Sequence, residues 1–167
     1  MIVFDASTLI LTAKIEVLDS FLGASKLKAA IPTGVEKECC GVQKSFDALV
    51  IEKAVQEGRI RVVEVNDKKL LGKVRADFSL GRGEAEAIAL AVAVRARIVG
   101  IDDKNGINAC KLLGIPFTTA IGILLRMREK GLLTLSDALR KLQALGNFGR
   151  YKKSIMEDAR KRLEISA

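Results

Sequence analysis

The chain has 167 residues and a mass of 18.1 kDa, is 49% hydrophobic but only 4% aromatic with no Trp, and carries a formal net charge of +8. That length suits one domain with an aliphatic core, able to fold without metal or disulfide. The absence of His excludes Ser-His-Asp and Cys-His catalysis and imidazole-ligated metal sites, and the cysteines, Cys39 and Cys40 adjacent and Cys110 remote, match no zinc spacing and point to a reducing cytoplasm.

Ile2, Val3 and Phe4 make a short, wholly apolar, β-prone run, and Asp5 stands at its end, followed by Ser7 and Thr8. In an open parallel sheet that end borders the ligand crevice, so a functional Asp5 requires other acids to arrive at similar edges. Helical spacing follows over residues 8–22, closed by Gly23. Residues 27–31 read as a second strand, and Pro32 leads into a helix whose Thr33-Gly34-Val35-Glu36 start has the form of a capping box and which carries Glu38 in its first turns.

Residues 45–57 form an amphipathic pattern ended by Gly58, residues 60–65 a β-branched strand, and residues 67–78 a basic helix. Residues 84–97 give the strongest helical signal, dominated by Ala, and a strand at 98–101, a helix at 105–113 ended by Gly114 and a strand at 115–118 follow. The recurring strand-helix order predicts an α/β fold, a three-layer α/β/α sandwich on a mostly parallel central sheet. From residue 120 the pattern is helical, with segments 121–130 and 136–145 closed by Gly131 and Gly146, then 154–163. Residues 1–167 thus read as one domain with 120–167 as its C-terminal helical part. The apolar stretches are too short to span a bilayer and no basic leader precedes the first strand, so the expectation is a soluble cytoplasmic protein with no membrane contact.

Asp5, Glu38, Glu84 and the Asp102-Asp103 pair each follow a strand or open a helix. Singly, each has an ordinary reading: Asp5 or Glu84 as a helix-start residue, Glu36 in its capping box, Asp102 as a turn former. Jointly they can reach one rim of the sheet, where uncompensated carboxylates repel unless a cation sits among them. Oxygen-only donors favour Mg²⁺ or Mn²⁺. Glu84 and Glu86 are about 200° apart around a helix and cannot both face one ion. Glu84, at the helix mouth, is the choice, leaving Glu86 exposed to solvent or behind the site.

These segments resemble the PIN-domain ribonucleases, in particular prokaryotic toxins of VapC type and their relatives. The resemblance rests on FDAST at the first strand end, IPTGVEKE, GRGEAEAIALA and IVGIDDKNGINACKLLGIP, and covers nearly the whole chain. It implies that Asp5, Glu38, Glu84 and Asp102 or Asp103 ligate Mg²⁺ or Mn²⁺, with Ser7 as a supporting hydroxyl. Ile101 replaces a Thr of many relatives, and Asn105 stands where some place another acid, as a neutral supporting residue. It further implies a single-stranded RNA substrate, a homodimer, to which the apolar run at 121–125 could contribute, and a possible antitoxin partner.

A carboxylate-held metal ion supports hydrolysis of a phosphodiester. The basic composition suits a polyanionic partner, with Lys37, Lys44, Arg82 and Lys104 as candidate backbone contacts, whereas the scarcity of aromatic residues argues against a base-stacking platform. Two rivals stand beside the metal-dependent endonuclease: a non-catalytic PIN-like RNA-binding module, and a phosphatase of the haloacid dehalogenase type, for which Ser7 replaces the second Asp of its D-x-D motif.

Overall fold

The structure, a computed structural model, describes residues 1–41 and 45–165. Five strands, β1 (Ile2–Phe4), β2 (Ala29–Pro32), β3 (Ile60–Val63), β4 (Ile98–Gly100) and β5 (Phe117–Thr118), form one sheet in the order β3-β2-β1-β4-β5. Every pairing is parallel, with Ile2 opposite Ala29 on one side and Ile98 on the other. The strand order reverses between β1 and β4, which is where an open parallel sheet leaves a crevice beyond its carboxyl ends.

Both faces are covered, as the apolar strands require. Ile2, Phe4, Ala29 and Ile31 point into one core, with α1 (Ala6–Lys14), α2 (Leu18–Ala24), α4 (Phe46–Gln56), α8 (Ala120–Glu129), α9 (Leu135–Phe148) and α10 (Lys153–Ile165) contributing. Val3, Ala30 and Val99 point the other way, against α5 (Lys68–Phe78), α6 (Arg82–Ala93) and α7 (Lys104–Leu113). Helix α3 (Thr33–Cys40) packs between α1 and α6. The α/β/α sandwich expected from the sequence is therefore the fold. No described helix is long and apolar enough to cross a membrane.

Four local expectations differ. The helix expected over residues 8–22 is two helices, because Glu16 takes a left-handed conformation (φ 56°) and the Val17 amide reaches back to the Thr12 carbonyl. Lys141 of α9 seals that end by donating to the Ile15 carbonyl at 2.7 Å. The Ala-rich helix stops before residue 97 by the same device, with Arg95 left-handed and the Ala96 amide bonded to Ala91 O. Gly146 lies inside α9 rather than ending it; a Cβ there would press on Met156 of α10. Finally, no capping box forms at Thr33: the Gly34 amide donates instead to Glu86 Oε2 at 2.9 Å, from a different helix.

The run at 121–125 belongs to the core. Ile121, Ile123, Leu124 and Leu125 are buried within the chain, so it offers no face to a second copy.

Candidate functional site

Asp5 ends β1 and is the N-cap of α1. Its Oδ1 accepts from the Thr8 amide at 2.8 Å and its Oδ2 from the Ser7 hydroxyl at 2.6 Å. Capping accounts for its orientation but not for its burial: the carboxyl is 1% exposed. Burial pushes its pKa up to about 7, against the pull of the Ser7 and Thr8 hydrogen bonds and with a further push from the charge of Asp102.

Two helices bring the glutamates, Glu84 from the first turn of α6 and Glu38 from the second turn of α3. Gly81 caps α6, and the Glu84 side chain folds back over it, close to the Gly81 amide. Burial, then the charge of Asp103 beside it, raises the Glu84 pKa, and Glu38 adds to the push. Glu38, on α3, lies against the same turn: a Cβ on Gly83 would stand 2.8 Å from Glu38 Oε2. Glycine at 83 is what lets the two helices approach closely enough for both glutamates to share one mouth.

The aspartate pair follows β4 and its members diverge. Asp103 caps α7, with Oδ1 accepting from the Gly106 amide at 2.9 Å. Asp102 points inward, where Oδ2 accepts from Thr8 Oγ1 and the Ala120 amide, both at 2.8 Å, and Oδ1 from the Tyr151 hydroxyl at 2.6 Å. Three of its four lone-pair sites are occupied by protein donors.

Asp5, Ser7, Glu38, Glu84, Asp102 and Asp103 line one open cavity of about 1220 Å³. Arg82 and Lys104 line it too, but Arg82 Nε is held at 2.7 Å by Glu86 Oε1. Lys37 and Asn105 do not line it; the Asn105 amide turns away to the Ser79 carbonyl. Lys44 lies outside the described residues. Glu86 is neither solvent-exposed nor in the cleft: it is 5% exposed and ties Arg82 to the start of α3. Cys39 and Cys110 are buried, and burial raises both thiols, Cys110 to about 11, so neither supplies a thiolate.

Sequence reasoning missed the C-terminal wall. Phe148, Arg150, Tyr151 and Lys152, from the end of α9 and the turn before α10, also line the cavity, with Tyr151 bonded to Asp102. Their separation from the acidic motifs along the chain left no spacing to read.

The donor chemistry fits a hard divalent cation. A buried carboxyl lifted toward neutrality, with a second carboxyl raised by neighbouring acids, is the arrangement a cation would relieve. Among the described residues no three Cys, Asp or Glu side chains form a group that could hold an ion as they stand.

The model of a family described as DUF3368, PIN domain, matches residues 1–164. A search of curated proteins gave no match to the chain.

Proposed function

We propose, starting from the fact that the chain belongs to the PIN-domain family, that it is a metal-dependent endonuclease hydrolysing single-stranded RNA. The observation that carries this reading is that Asp5, Glu38, Glu84, Asp102 and Asp103 line one cleft, beside the point where the strand order reverses between β1 and β4. PIN domains are nuclease folds that use divalent ions. Asp5, Glu38, Glu84 and Asp103 are the residues that would hold Mg²⁺ or Mn²⁺, since Asp102 is already committed to three protein donors. When bound, such an ion activates water and offsets charge building on the phosphate.

The chain's own residues do the rest. Ser7 and the Thr8 amide orient the Asp5 carboxyl. Burial keeps that carboxyl dry and its proton affinity high until a cation replaces the proton. Lys14, Lys104, Lys111 and Lys152 edge the cleft and suit a phosphate backbone crossing it. A role as the toxin of a toxin–antitoxin pair, and a homodimer, rest on the likeness to VapC-type proteins. A PIN-like RNA-binding module without cleavage is the second reading, favoured by Ile101, a fully buried core residue, in the place of a hydroxyl, and by Asn105 turned away from the cleft.

Cleavage of labelled single-stranded RNA with Mn²⁺ or Mg²⁺, against EDTA and against Asp5→Asn, tests the proposal. Cleavage that needs the metal and is abolished in the variant is expected. Binding without metal-dependent cleavage would select the second reading, and cleavage undiminished by EDTA would overturn the first.

A further inference from the structure

Asp102 is the one acid of the cleft whose carboxylate is gripped from three directions, and its partners come from three distant parts of the chain. Thr8 belongs to α1, Ala120 opens α8, and Tyr151 sits in the turn between α9 and α10. Thr8 is bonded to both neighbouring acids at once, giving its hydroxyl to Asp102 and its amide to Asp5. A continuous path therefore runs from the Tyr151 phenol through Asp102 and Thr8 to Asp5. The phenol bond, at 2.6 Å, is at the short end of the range for hydroxyl donors.

The turn is shaped to deliver that hydroxyl. Gly149 leaves the space in which the Tyr151 ring folds back; a Cβ there would collide with the ring's edge. The ring packs against the core beneath the first strand face, so a Phe would satisfy the packing equally well. What only Tyr supplies is the donor to Asp102 Oδ1. Were it absent, Oδ1 would lose its donor and the carboxylate would be held through Oδ2 alone, by Thr8 and the Ala120 amide.

We infer that Tyr151 is a positioning residue of the acidic cleft, whose hydroxyl commits Asp102 as a hydrogen-bond acceptor and so, through Thr8, keeps Asp5 in the orientation in which it meets a divalent cation. The inference rests on the nuclease reading above and extends it to a residue of the C-terminal helical part. Groups that orient metal ligands from behind are worth about 10-fold or more in affinity.

Tyr151 is the only tyrosine and the chain has no Trp, so the protein's own emission reports on this residue alone. The test uses the full chain, titrated with Mg²⁺ and followed by tyrosine emission, and with Mn²⁺ followed by calorimetry, for the parent and for Tyr151→Phe. A saturable change in parent emission is expected. In Tyr151→Phe, Mn²⁺ binding should weaken by about 10-fold and kcat on single-stranded RNA fall with it, while KM for RNA stays within about twofold. Gly149→Ala, which displaces the ring without removing the hydroxyl, should weaken Mn²⁺ binding in the same direction. A parent that binds no metal would bring down the nuclease reading and this inference with it. A parent that binds metal with unchanged tyrosine emission, or a folded Tyr151→Phe that binds Mn²⁺ as the parent does, would overturn the inference alone.

Discussion

Asp5 is held by a helix start and lifted by burial, and the two act on its proton in opposite directions. Because burial is the larger, the folded protein keeps a proton on Asp5 up to about 7, whereas the ordinary value is 3.8. Between those two values the folded state binds more protons than the unfolded chain, so stability contributed by this group falls as pH rises, by up to about 1.4 kcal/mol per pH unit. Glu84, raised by burial and by Asp103, acts in the same sense. The metal-free protein should therefore melt at a higher temperature near about pH 5 than near about pH 8. Asp5→Asn, which keeps a side-chain oxygen for the Thr8 amide and removes the charge, should flatten this dependence and leave metal-free stability at pH 8 equal or higher. Metal should then raise the Tm of the parent more than that of the variant. Thermal melts across pH, with and without Mg²⁺, measure both; a variant several kcal/mol less stable at every pH would make Asp5 a structural capping residue instead.

At the scale of elements, the site depends on how closely α3 and α6 start beside each other. Gly83 lies in the first turn of α6, where Ala is the better helix former by about 0.5–1 kcal/mol, yet its Cβ would displace Glu38. Gly83→Ala should hold or raise the Tm while weakening Mn²⁺ binding, an opposition that calorimetry and melting separate; unchanged binding would remove Glu38 from the ligand set. Glu86 works in reverse. Its carboxylate occupies the place a capping side chain would take at α3 and is nearly fully buried, so Glu86→Ala leaves the Gly34 amide without its acceptor. A loss of about 1–3 kcal/mol in denaturant unfolding is expected, and a loss within error would show that solvent replaces the bond. Helices that end at Gly58, Gly114 and Gly131 were legible in the sequence, since glycine marks the left-handed residue there. Glu16 and Arg95 take the same conformation without a glycine to announce it, which is why the first and the Ala-rich helices read too long. The Thr33 box failed for a related reason: the competing acceptor, Glu86, is 52 residues away in sequence.

Over the whole molecule, the charge is divided. Lysine and arginine outnumber aspartate and glutamate by 28 to 20, yet six of those acids line one cleft, so a polyanion must be drawn in by the surrounding surface rather than by the floor. The acids were legible because strand ends carry Asp5 and the Asp102-Asp103 pair and helices α3 and α6 carry the glutamates, in an order the sheet then folds together. The basic rim was not, because Lys14, Lys111 and Lys152 are scattered along the chain and indistinguishable from solvated lysines until the fold collects them. Lys152 stands on the C-terminal wall of the cleft, whereas Lys37, on α3, does not line it. Binding of single-stranded RNA to the Asp5→Asn protein should fall steeply with salt, because each neutralised phosphate releases condensed counterions. Adding Lys152→Ala should lower the slope of log K against log salt by about 0.7, the share of one phosphate contact on a single strand, and weaken all sequences alike. Adding Lys37→Ala instead should leave the slope where it was. Fluorescence anisotropy over a salt series distinguishes the two, and an equal change from both would mean that the strand follows the general surface charge and not the cleft.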